Sequence, residues 1–150
     1  MPNYDWSRLN ALQIGRYAEY YAKMEFASYG FEVYTSEVDD HGIDFVVKKG
    51  KSSFYEIQVK SIRGLNYIFF PKSKFDLRAN LFAAVIIFLP MKMPQTYLLP
   101  ALAWQSPDLL LVSHDYIGKK SKPEWGLNLS SKNLDILQKY NFDKTISTLL

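Results

Sequence analysis

The chain has 150 residues, 48% of them hydrophobic, which is enough for one domain with a real core and excludes a disordered chain. It has no cysteine, so a disulfide framework, a thiolate zinc site and a cysteine nucleophile are all excluded, and a reducing, cytoplasmic location is expected. A formal charge of +3 tilts only slightly towards phosphate-bearing partners, two histidines are too few for a three-histidine metal centre, and no apolar run reaches membrane-spanning length.

The first residues lack the basic flank and apolar centre of a signal peptide. Ser7 or Asn10 can cap a helix that runs on to Gly30. Its apolar stripe reads as Ala11, Gly15, Ala18, Ala22 and Phe26, with Leu12 and Tyr29 beside it. Glu19 falls on or next to that stripe, so it is either a carboxylate turned inward or an exposed partner for Lys23, four residues on. Glu25 competes for the inward role. Residues 31–38 alternate aromatic and β-branched types as a strand does, and Asp39 and Asp40 follow as turn residues. His41 stands at the mouth of the next strand beside Asp44, either as a surface residue or as an outer group or proton shuttle.

The most informative stretch is 42–61, read as two strands joined by a turn at Gly50 among lysines. On the first strand Asp44, Val46 and Lys48 alternate with Ile43, Phe45 and Val47; on the second, Glu56, Gln58 and Lys60 alternate with Tyr55, Ile57 and Val59. With the two paired, Asp44 joins a row made of an acid, an amide and an amine. Hard oxygen ligands beside a lysine are what magnesium chemistry on phosphates requires, because the small cation takes oxygen ligands and keeps several waters.

Residues 66–70 read as a third partner of this hairpin, ended by Pro71. Arg63, Lys72 and Lys74 lie close in sequence to the polar row, where they can line a groove for a phosphate backbone. Ser73 is a candidate cap for a short helix over 74–80. The run 81–90 is almost continuously apolar, the mark of a central strand covered on both faces. A short strand at 96–100 and a helical turn at 101–105 come next. Beyond Ser106 the chain reads as a strand, a lysine-rich hairpin or ordered loop, and one or two short helices, with Trp125 as a packing anchor. There is no internal repeat, no domain linker, no glycine-rich phosphate loop, no GxSxG and no HExxH.

A helix bearing Glu19 and followed by Gly30 and Phe31, a strand opening with Asp44 in GIDF, and a strand carrying Gln58, Val59 and Lys60 in QVKS: this order resembles the PD-(D/E)xK nuclease superfamily, in particular its archaeal Holliday-junction-resolvase-like and Mrr-like restriction branches. The resemblance covers about 9–102. It implies an α/β, restriction-endonuclease-like core in an α-β-β-β-α-β plan, a mixed sheet flanked by helices, with 103–150 as a C-terminal extension of the same single domain. It implies a metal-dependent DNA endonuclease of restriction, repair or mobile-element defence, with Asp44, Gln58, Lys60 and Glu19 as the catalytic set. Mg²⁺, with Mn²⁺ as substitute, would be held by Asp44 and Gln58. Gln58 stands where the family usually has an acid, a variant known in Mrr-like members, and Glu19 or Glu56 would restore the missing charge.

The implied partner is DNA, and pairing of subunits is open, since nucleases that cut both strands often pair. Two other readings stay open: a catalytically inactive nuclease-fold protein that binds nucleic acid or a protein partner, and an oligomeric interaction module that uses exposed aromatics of the last third.

Overall fold

Helix α1 (Ala11–Ser28) starts at Asn10, whose side chain accepts from the Gln13 N–H while the Gln13 side chain accepts from the Asn10 N–H. This reciprocal box satisfies two amide donors that a helix start leaves open. The computed structural model describes residues 1–37 and 41–150; Asp39 and Asp40 lie outside the described residues. Gly30, at φ 86°, turns the chain out of the helix. The buried stripe is Ile14, Ala18, Ala22 and Phe26, a strict four-residue row. Leu12, expected beside it, is 87% exposed, because two residues before Ile14 is about 200° round the helix.

Five strands form the main sheet: β1 (Glu32–Thr35), β2 (Phe45–Lys49), β3 (Ser53–Arg63), β5 (Leu81–Phe88) and β6 (Gln95–Pro100), in the order β1-β2-β3-β5-β6. The β3–β5 pair is parallel and the others are antiparallel. All eight residues of β5 are buried, as its apolar run predicts for a strand covered on both faces. Phe82, Ala84, Ile86 and Phe88 pack with α1 and with α3 (Phe142–Ser147), whereas Leu81, Ala83, Val85 and Ile87 face a second layer.

That second layer corrects one expectation. Residues Tyr67–Pro71 do form a strand, β4, but it does not extend the hairpin of β2 and β3. It pairs instead with β8 (Glu124–Asn128), which also pairs with β7 (Leu111–His114), in a separate three-stranded sheet ordered β4-β8-β7. Phe70 from β4, Leu111 from β7 and Leu127 from β8 are buried against the odd-numbered residues of β5, with Leu137 of α2 (Leu134–Leu137) closing the cluster. The helix expected over 74–80 is absent as well; the chain makes a single 3-10 turn at Lys72–Lys74. Trp125 does anchor, its indole N–H donating to the Phe75 carbonyl at 3.0 Å. Among the described residues no helix is long and apolar enough to cross a membrane.

Candidate active site

The paired register of β2 and β3 ends at Phe45 opposite Ile57, while β3 runs on to Arg63. Asp44 stands at this step. Its backbone N–H donates to the Ile57 carbonyl at 2.9 Å, and its Oδ2 accepts from the Val59 N–H at 2.7 Å. A carboxylate therefore occupies the ladder position where the next carbonyl would sit, which fixes the acid against the segment from Gln58 to Lys60 and frees the edge beyond it.

Gln58 is 7% exposed, and its Oε1 is buried with no hydrogen-bond partner among the described residues. Leaving a buried amide oxygen unpaired costs about 1–3 kcal/mol, which makes this atom a candidate acceptor for a water or a ligand cation. Gly42 explains the burial: at φ 79° it brings the loop so close that a Cβ there would lie 3.0 Å from the Lys74 carbonyl and 3.5 Å from Gln58 Oε1. The loop before β2 and the turn after β4 thus close over the amide.

Lys60 lies on the same face of β3, with its Nζ 5.6 Å from the centre of the Phe70 ring and 5.9 Å from that of Phe69. Burial against these rings pushes the amine below its ordinary value, and the Asp44 carboxylate opposes that shift. An ammonium with a depressed pKa beside a fixed carboxylate and an orphan oxygen can orient water and offset charge growing on a phosphate.

The other residues singled out from the sequence fall elsewhere or are already engaged. Glu56 is bound by Arg78 at 2.5 Å and by the Asn80 amide at 3.3 Å. It lines a cleft of about 540 Å³ with His41, Ser73, Lys74, Asp76 and Arg78. Glu19 pairs along its own helix with Lys23 at 3.3 Å and Arg16 at 3.8 Å. Helix α1 covers the face of β3 that carries Ile57 and Val59, opposite to Gln58 and Lys60. Arg63 points away from the polar row and donates to the carbonyls of Trp6 and Leu9, at 3.2 and 2.6 Å. Lys72 donates to Ser113 and Asp115, both at 2.7 Å, and lies 3.9 Å from the Trp125 ring centre. Of the three basic residues, Lys74 is the one that lines the cleft.

No family model matches the chain, and no curated protein matches it. Among solved structures it is similar to Hjc, a Holliday junction resolvase from the archaeal hyperthermophile Archaeoglobus fulgidus, with a TM-score of 0.57 and 14% identity over 89% of this chain and 95% of that one. The fold is restriction-endonuclease-like.

Within the described residues no three acidic or histidine side chains are grouped to hold a metal ion. The pair that could do so is Asp44 with the orphaned Oε1 of Gln58, both hard oxygen donors. They suit a small divalent cation that keeps several waters. Sequence reasoning missed Phe69 and Phe70 as the neighbours of Lys60, since those rings come from the second sheet. It also missed Arg78, whose pairing with Glu56 no local pattern announces.

Proposed function

We propose that this protein is a metal-dependent DNA endonuclease hydrolysing phosphodiester bonds in restriction, repair or mobile-element defence. The observation that carries the reading is the buried Oε1 of Gln58, unpartnered among the described residues, on the strand whose Val59 amide tethers the Asp44 carboxylate, with the Lys60 amine on the same strand face. Asp44 and Gln58 would hold Mg²⁺ or Mn²⁺. A bound ion of this kind supplies positive charge to the phosphate oxygens and lowers the pKa of water.

The residues of the chain do the rest. Asp44, locked by the Val59 amide, keeps one negative charge at a fixed point. Lys60 hydrogen-bonds the attacking water or the phosphate and offsets the charge that accumulates there; it serves the second role without losing its proton. Glu19 would act only at a distance, through water, from the helix on the opposite face of β3, its charge already shared with Lys23 and Arg16. Lys74, exposed at the cleft, meets the DNA backbone as a point charge.

The test is incubation of end-labelled duplex, flap and four-way DNA with the full chain in Mg²⁺, in Mn²⁺ and in EDTA. Cleavage that needs the metal and vanishes in Asp44→Asn supports the reading; cleavage indifferent to both contradicts it. A non-catalytic binder of nucleic acid is the second reading, favoured by the neutral residue at position 58. Its mark is DNA affinity that falls steeply with salt and ignores metal.

A further inference from the structure

One face of the second sheet looks away from the core. Ile68 and Phe70 of β4 point inwards, so Tyr67 and Phe69 point out. On that outer face Tyr67 and Phe69 stack with ring centres 6.3 Å apart, Tyr67 meets the ring of His114 at 6.0 Å, and His114 stacks on Tyr116 at 5.4 Å. Core packing does not account for this row, because Phe69 is 45% exposed and His114 is exposed too.

Tyr67 anchors the row. Tyr67 lies across Gly126, where any Cβ would collide with its ring, and its hydroxyl donates to Glu124. Glu124 is 7% exposed, so its charge is covered by the tyrosine and not offered to solvent. The other acid nearby, Asp115, is taken up by Lys72. The loop from β7 to β8 meanwhile carries Lys119, Lys120 and Lys122, all exposed. Lys122 and Phe69 line one cavity of about 310 Å³. At its other side Phe69 lies 5.9 Å from the Lys60 amine.

We infer that Phe69, with Tyr67 and His114, is a stacking platform for the unpaired bases of a single-stranded or splayed nucleic acid whose phosphates meet the lysines of the β7–β8 loop. Rings that hold bases and cations that hold phosphates are the two components of such sites, and every base offers a π-face. A duplex hides those faces. A protein partner is disfavoured because the centres of protein interfaces are depleted in lysine, which here flanks the rings. The inference deepens the reading of Lys60 as part of a nuclease site, and rests on it only in naming the substrate: a strand unpaired beside the scissile phosphate.

The test is fluorescence anisotropy of labelled oligothymidine, and of a duplex of equal length, titrated with the full chain in EDTA so that no cleavage intervenes. Phe69→Leu keeps an apolar side chain without a π-face, and it weakens single-strand binding about tenfold while leaving duplex binding nearly unchanged. Phe69→Trp retains the single-strand affinity. Equal affinity of the parent and Phe69→Leu for oligothymidine overturns the platform, as does sedimentation showing that Phe69→Leu dissolves a dimer while single-strand binding persists. Ring-dependent binding without any cleavage in metal leaves the platform standing and removes the nuclease reading; cleavage with ring-independent binding does the reverse.

Discussion

The Asp44 carboxylate accepts a hydrogen bond from the Val59 amide at 2.7 Å, so a side chain closes the ladder where β2 stops and β3 continues. One residue thereby ends a strand pair and aims a charge. Fold and chemistry can be separated at this position. Asp44→Asn keeps an oxygen acceptor for Val59 and loses the charge, so it abolishes cleavage with little change in melting temperature. Asp44→Ala abolishes cleavage and also costs about 1–3 kcal/mol in urea denaturation, the penalty of an amide left without its partner.

Lys60 sits against Phe69 and Phe70, and burial lowers its pKa from the ordinary value of 10.5. Between its folded value and 10.5 the unfolded chain binds more protons at this site than the folded one, so the contribution of Lys60 to stability rises with pH in that window. Below the folded value the full penalty of a desolvated ammonium applies. Lys60→Met therefore raises the melting temperature at neutral pH and flattens the rise towards pH 10, while eliminating cleavage. A lower melting temperature for Lys60→Met at neutral pH would show that the pairing with Asp44 outweighs desolvation.

Glu56 and Glu19 are the acids on hand to replace the one that Gln58 lacks, and both are already bound to cations. Glu56→Gln gives up a half-exposed pair with Arg78, which costs less than about 1 kcal/mol, and leaves cleavage near the parent rate. Glu19→Gln slows cleavage partially, since its charge acts through water. Rates measured side by side with Asp44→Asn decide the matter: if Glu56→Gln is as inactive as Asp44→Asn, Glu56 and not Gln58 completes the metal site.

Much of this was legible in the chain. Period-two alternation picked out the strand of Gln58 and Lys60, the apolar run gave β5, and Ser7 and Asn10 bracketed the start of α1, with Asn10 the cap in the fold, because each of these patterns is local. The second sheet was not legible: β4 and β8 are separated by more than fifty residues, and no local rule distinguishes a strand that extends a hairpin from one that crosses to another layer. That single error explains why the surroundings of Lys60 were unforeseen. Arg63, Lys72 and Lys74 were grouped by nearness in sequence, yet β4 and its turn send Lys72 to Asp115 and leave Arg63 with the N-terminal segment. Gln58 was recognisable as a departure, but the burial of its Oε1 without a partner among the described residues goes with the close approach of Gly42 and Lys74, which only the folded chain displays.

The most direct test is calorimetric titration of Mn²⁺ into the full chain, Asp44→Asn and Gln58→Leu. Gln58→Leu removes a buried oxygen that has no hydrogen-bond partner among the described residues, and its melting temperature, measured beside that of the parent, separates loss of the ligand from loss of the fold. The account predicts one class of Mn²⁺ site in the parent, abolished in Asp44→Asn and at least tenfold weaker in Gln58→Leu, about 1.4 kcal/mol. Binding of Mn²⁺ to both variants as tightly as to the parent would contradict it.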